Sequence, residues 1–218
     1  MSRTQVLEKG ALDSTSRWAF MLVALLTLGS SGALAQQVVF TSDTLIACED
    51  LSYEGFDVIV DGAIVAIDCE HHFRSLVVRN GGIVTYTPGL LAGMRLVIEQ
   101  DVQIDLSAGL DVTALGYRNE QGPGAGLPDE DGSAIGGGHG GRGGSLLPAD
   151  RIGDSYGSVF APDTPGSGGG GDTGGFGGGL IQLEVGGSIV LDGIVSASGQ
   201  SAFSDGGGGA GDARAPRH

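Results

Sequence analysis

Two cysteines, Cys48 and Cys69, carry the clearest chemistry in this sequence. With no other cysteine available, the pair reads first as a disulfide formed in an oxidising compartment. A metal site would need more ligands. His71 and His72 lie close to Cys69, but neighbouring residues on a strand point to opposite faces. Two free buried thiols are the competing reading.

The carboxylates are less specific. Asp129, Glu130 and Asp131 form an acidic run, and Asp172 sits among glycines in Gly170-Gly171-Asp172-Thr173-Gly174-Gly175. Calcium takes about six to eight oxygen ligands, and this glycine segment is a poor match to the calcium-binding repeat of β-solenoids. No resident cofactor is expected. Calcium at Asp129, Glu130, Asp131 and Asp172 is the only metal candidate, against a solvated loop. Asp105, Asp111 and Asp192 flank strand-like runs, with Arg74, Arg79 and Arg95 nearby in sequence. Such groups could serve a polysaccharide hydrolase or lyase. They form no motif, and aspartate beside glycine at a strand end is turn chemistry. No catalytic residue is assigned. The phosphate-cradling G-x-x-x-x-G-K-[ST] loop is excluded, because Lys9 is the sole lysine. A nucleophile elbow needs a strand-to-helix turn, which is not expected in a chain with almost no helix. His139, in a run of glycines, reads as a loop residue without a strand to hold it.

These groups are expected to work outside the cytoplasm. Arg3, Lys9 and Arg17 precede an apolar run from Trp18 to Gly29, and Ala33-Leu34-Ala35 leads into Gln36. That is the order of a secretory signal peptide cleaved between Ala35 and Gln36. The run of about 12 residues is short of the roughly 20 that span a bilayer. An uncleaved anchor is the alternative, and no membrane span is expected in the mature chain. Residues 36–218 hold 8 Arg against 24 acidic residues, a formal charge of −16. This acidic surface repels phosphate backbones, so no nucleic-acid partner is expected.

The elements that must position these residues are strands. Glycine supplies 43 of 218 residues, without a collagen register. Val58-Ile59-Val60, Leu76-Val77-Val78 and Leu96-Val97-Ile98 begin 18 and then 20 residues apart, and alternating runs such as Ile64 to Ile67 and Ile83 to Tyr86 follow. A repeat near 20 residues without helical periodicity predicts a parallel β-helix, each coil stacking about 4.8 Å from the last. Cys48 and Cys69, 21 residues apart, would then staple neighbouring coils. Residues 96–116 are echoed by 180–199: Leu96/Leu183, Ile98/Val185, Val102/Ile189 and Ile104/Leu191 match, as do Thr113/Ser196 and Gly116/Gly199 once the extra residues of the first copy are allowed for.

Between the copies, residues 116–179 hold 24 glycines in 64 positions. A compact glycine-rich excursion is expected there, anchored by Tyr117, Ile135, Leu146, Leu147, Ile152, Tyr156, Val159, Phe160 and Phe176; a disordered insertion is the alternative. The expected organisation is a signal peptide over 1–35, N-terminal coils over 36–115, the excursion over 116–179, further strands over 180–203 and a glycine-rich tail over 204–218 that reads as truncated.

Asp61-Gly62, Phe73 to Val78, Asn80-Gly81-Gly82-Ile83-Val84-Thr85, Gly122 to Gly126, Gly136 to Gly144, Tyr156-Gly157-Ser158, Gly166 to Gly171 and Gly177-Gly178-Gly179 resemble the glycine-rich exported or surface proteins of bacteria with pectin-lyase-like right-handed β-helix regions. The resemblance covers about residues 55–210. It implies an all-β, adhesin-like, secreted or cell-surface protein that meets glycans or other surface components as part of a longer parent with further domains. It implies no defined activity. The expected function is therefore structural and adhesive, without catalysis; a carbohydrate-active lyase or hydrolase is the alternative.

Overall fold

The structure, a computed structural model, describes residues 36–128, 135–144, 153–158, 160–202 and 208–210. The described residues contain strands and no helix. The segment up to Ala35, expected to be a signal peptide, lies outside them, as do Asp129, Glu130 and Asp131.

Among the described residues, thirteen short strands form three sheets, all of whose pairings are parallel. The first sheet orders β1 (Gln37–Phe40), β3 (Asp57–Asp61), β6 (Ser75–Arg79), β9 (Val102–Ile104) and β12 (Ile189–Leu191). The second orders β2 (Thr44–Ile46), β4 (Ile64–Ile67), β7 (Ile83–Thr85), β10 (Gly109–Asp111) and β13 (Ile194–Ser196). The third holds β5 (Cys69–Phe73), β8 (Met94–Ile98) and β11 (Ile181–Val185). The chain visits first, second and third sheet in that cyclic order. Each round lays its strands beside those of the round before.

Alternation explains which side chains turn inward. In β3 and β6, Val58, Val60, Leu76 and Val78 are buried while Ile59 and Val77 between them are not. Successive strand residues face opposite ways, so an aliphatic residue at every second position fills one face. Leu96, Ile98, Val102, Ile104 and Leu110 continue the same core.

The expected 20-residue step is corrected at one place. Val58 does stack on Leu76, but the next partner of Leu76 is Val102, not Leu96. Leu96 lies in the third sheet opposite His71. This round is longer, Leu76 to Val102 being 26 residues, because Thr87 to Gly93 makes an extra turn closed by Leu90 N donating to Thr87 O and Gly93 N to Leu90 O. The internal echo survives in the ladder: Leu183, Val185, Ile189 and Leu191 are the direct partners of Leu96, Ile98, Val102 and Ile104. Ser196, however, partners Asp111, and Thr113 reaches it only through a 2.8 Å hydroxyl contact.

Cys48 and Cys69 are bonded, with Cα atoms 5.2 Å apart. The register accounts for this. Strand β2 pairs with β4 at a step of 21 residues, Thr44 with Val65, and the cysteines are also 21 apart. The same register carried two residues past Ile46 sets Cys48 beside Cys69. In the first round no strand occupies the third sheet. Leu51 to Phe56 runs there instead, with Tyr53 edge-on to both Phe40 and Phe56 at 5.2 and 6.3 Å between centroids. His71 turns inward and is buried while His72 faces out, as strand alternation requires. His71 Nδ1 lies 2.8 Å from Glu54 Oε1, and Glu54 Oε2 accepts from His72 N.

Candidate functional site: the glycine-rich arm and its root

The arm begins where the fourth round leaves the second sheet. Strand β10 ends at Asp111 and β11 begins at Ile181. Tyr86, at the end of β7, holds the root. Its hydroxyl donates to Leu115 O at 3.2 Å on the outgoing limb and accepts from Leu180 N at 3.1 Å on the returning one. Gly179 N also donates to Val112 O at 2.9 Å. Burial raises the Tyr86 phenol above its ordinary pKa, so it stays a neutral donor that can serve both limbs. Sequence reading placed Tyr86 only within a strand-like run; nothing local marks it as the residue tying residues 115 and 180 together.

Among the described residues of the arm there is no helix and no strand. Residues 166–170 show why it is nevertheless ordered. Gly166, Gly168, Gly169 and Gly170 N donate to the carbonyls of Gly178, Gln121, Gly175 and Ile135 at 2.8–3.0 Å. The carbonyls of residues 166, 167, 168 and 169 accept from the amides of Tyr117, Ala210, Gly126 and Glu120. A sheet strand bonds to at most two neighbours. This segment bonds to four: 117–126, 135, 175–178 and 210. Such close approach requires the missing Cβ. A Cβ at Gly177 would collide with the carbonyl of Gly166, and one at Gly126 with that of Ile135. The segment after β13 enters the same bundle. Gln200 N donates to Phe176 O, Gly209 N to Gln200 O, and Gly178 N to Ala210 O. The match of Gly199 to Gly116 thus marks two exits into one glycine layer.

Side chains pin the bundle at a few points. Ser167 is fully buried; its hydroxyl donates to Tyr156 Oη at 2.8 Å and accepts from Gly124 N at 3.0 Å, while Tyr156 Oη donates to Pro165 O at 2.6 Å. Burial pushes the Tyr156 phenol up to about 12. His139 lies in a bend outside any strand, as expected from its glycine surroundings, yet it does not face solvent. It is buried, its Nε2 donates to Thr164 O at 3.0 Å, and its ring meets Tyr156 edge-on at 4.8 Å. Of the expected anchors, Ile135 is fully buried and Phe160 is 72% exposed. Leu146, Leu147, Ile152 and Val159 lie outside the described residues.

The sequence candidates for chemistry are placed as follows. Asp172 is exposed in its glycine turn, and among the described residues no three His, Cys, Asp or Glu side chains gather as a metal site would require. Asp105 and Asp192 follow the paired strands β9 and β12, whereas Asp111 lies on the second sheet. Asp111 Oδ1 accepts from Thr113 N at 2.9 Å, the turn chemistry expected of it. Arg74 is committed to Asp57, Arg79 to Asp61, and Arg95 to Glu70 and Glu184. The Arg74 hydrogen bond holds the Asp57 carboxyl below its ordinary value; Asn80 and then Arg79 do the same for Asp61. The Arg79 and Arg95 pairs join strands of successive rounds, and Arg74 joins β3 from the link between β5 and β6.

No helix among the described residues is long and apolar enough to cross a membrane. No protein-family model, curated protein or solved structure matches the chain.

Proposed function

We propose that this chain is an exported structural and adhesive segment of a cell surface or secreted matrix, without catalytic activity of its own. In this reading residues 1–35 are a signal peptide removed between Ala35 and Gln36. The mature part is a short right-handed parallel β-helix, the hand that parallel crossover connections overwhelmingly take, and the glycine arm is carried on its flank. The resemblance to glycine-rich surface proteins with pectin-lyase-like regions supports the same role.

The observation that carries the reading is the cyclic parallel ladder itself. It gives a stiff stack whose outer faces repeat at strand spacing. On the first sheet, Val39, Ile59, Val77, Gln103 and Val190 form one outward column. Apart from Gln103 the column is aliphatic, and with its regular spacing it offers a long flat face to another surface. The disulfide fits an oxidising destination. The last round supports membership of a longer parent with further domains. Leu191 points inward like its partner Ile104, yet it is 49% exposed where Ile104 is 1% exposed. A further round or domain laid on β11, β12 and β13 would bury it.

Expression of the full chain in a secreting host tests the reading. The expected product is an exported protein starting at Gln36 with no free thiol, which binds surface glycans and turns over none. Retention of residues 1–35 in the cytoplasm would reject export. Cleavage of an acidic or neutral polysaccharide, abolished by Asp105→Asn or Asp192→Asn, would reject the passive role in favour of a carbohydrate-active enzyme.

A further inference from the structure

The turn joining β6 to β7 contains Asn80-Gly81, both exposed. Asparagine followed by glycine is the sequence most open to deamidation, because no Cβ on the second residue shields its main-chain nitrogen. In that reaction the Gly81 nitrogen attacks Asn80 Cγ. The N–Cγ bond forms, the Cγ–Nδ2 bond breaks, and ammonia leaves with the proton from the Gly81 nitrogen. Water then opens the cyclic imide at either carbonyl, giving aspartate or isoaspartate. No oxidant or further reagent is needed.

Three contacts oppose the cyclisation. Asn80 and Gly81 have φ of 54° and 79°, the positive pair of a type I′ turn, and Gly82 N donates to Arg79 O at 2.9 Å to close it. Asn80 Nδ2, part of the leaving group, donates to Asp61 Oδ1 at 2.6 Å. The attacking nitrogen of Gly81 donates to Ser107 Oγ at 3.1 Å. Asp61 comes from the round before and Ser107 from the round after. Arg79 in turn fixes the Asp61 carboxylate, at 2.8 and 3.0 Å.

We propose that Asn80-Gly81 is a latent modification site, kept from deamidating by Asp61 and Ser107 of the flanking rounds. Its conversion is a chemical clock on this corner of the stack. The product replaces the amide donor facing Asp61 by a second carboxylate. Isoaspartate also adds a main-chain carbon between β6 and β7, where the alternation of both sheets depends on the chain length of the turn.

The test incubates the whole chain in mildly alkaline buffer, native and in denaturant. Peptide mass spectrometry follows the gain that accompanies exchange of an amide for a carboxyl at residue 80, and isoaspartyl methylation follows the rearranged product. The native chain is expected to react at least about tenfold more slowly than the unfolded one, since two hydrogen bonds must open together. Ser107→Ala and Asp61→Ala are each expected to speed the native reaction about fivefold, the rate equivalent of one such bond. Ser107→Thr keeps the hydroxyl and is expected to stay at the native rate, which separates the bond from general loosening. Equal rates in native and unfolded chains would overturn the proposal. So would Ser107→Ala and Asp61→Ala variants that melt like the parent and react no faster.

Discussion

The β-stack and the glycine arm solve one problem in opposite ways. Every buried amide and carbonyl must find a partner. In the stack, strands satisfy each other across three ladders, and side chains fill the space between the sheets. In the arm, segments lie so close that a methyl group would not fit, and backbone bonds run to several neighbours at once. The stack therefore draws on apolar burial, at about 25 cal/mol per Å². The arm buries little side chain and depends on hydrogen bonds of about 1 kcal/mol each, set against the high entropy cost of ordering glycine. A core made of side chains tolerates exchange of similar ones; a core made of backbone tolerates almost none.

Four changes would break or sharpen this contrast. The largest effect is expected in the stack. Leu96 is fully buried at the centre of the third sheet, and Leu96→Ala should cost about 2–5 kcal/mol through lost contacts and a cavity, read by denaturant unfolding. A loss below about 1 kcal/mol would mean that the side-chain core does not hold the stack. Next comes the arm. Gly177→Ala adds one methyl against the Gly166 carbonyl and should cost about 1–3 kcal/mol by overpacking. Hydrogen exchange should show arm amides losing protection while stack amides keep theirs. Among the described residues nothing lies within 4 Å of where a Gly141 Cβ would stand, so Gly141→Ala should leave exchange unchanged. Equal tolerance at both positions would sink the backbone-core account.

The root comes third. Tyr86→Phe leaves Leu180 N without its hydroxyl acceptor and should cost about 1–3 kcal/mol for a buried donor left unmet. Faster exchange should be confined to residues near 115 and 180; uniform acceleration across the stack would show that the two regions are not separable there. The smallest effect is electrostatic. The Asp57 carboxyl has its pKa lowered by Arg74, so the unfolded chain binds a proton more readily than the folded one in the acid range. Its contribution is present above the unfolded value of about 3.9 and is lost as pH falls through the folded value. Stability should decline with acid in that window, and Asp57→Asn should flatten the decline in a pH series of melting curves. An unchanged slope would show that the pair joining β3 to the link before β6 adds nothing.

Much of the stack was legible from particular residues. Val58, Val60, Leu76 and Val78 alternate with outward neighbours, and alternation is a local property of an extended chain. The cysteine spacing matched one round because the register step there is 21 residues. Leu96 was misplaced for a physical reason. A fixed step assumes rounds of equal length, and the Thr87–Gly93 turn lengthens this one without altering the pattern on either side. His139 and Tyr86 were missed more completely. Their partners, Thr164 and Tyr156 for one and Leu115 and Leu180 for the other, are set by how glycine segments distant in sequence come together.

Sequence alone determined the strand character, the inward and outward faces, the spacing that lets the two cysteines meet and the likeness of residues 96–104 to 183–191. Each depends on residue type and spacing within one or two rounds. Only the tertiary structure decided which round each run joins, how the glycine segments bond to one another, and which buried polar groups fasten them. A glycine has no side chain to encode a neighbour, so its partner is chosen by the fold around it.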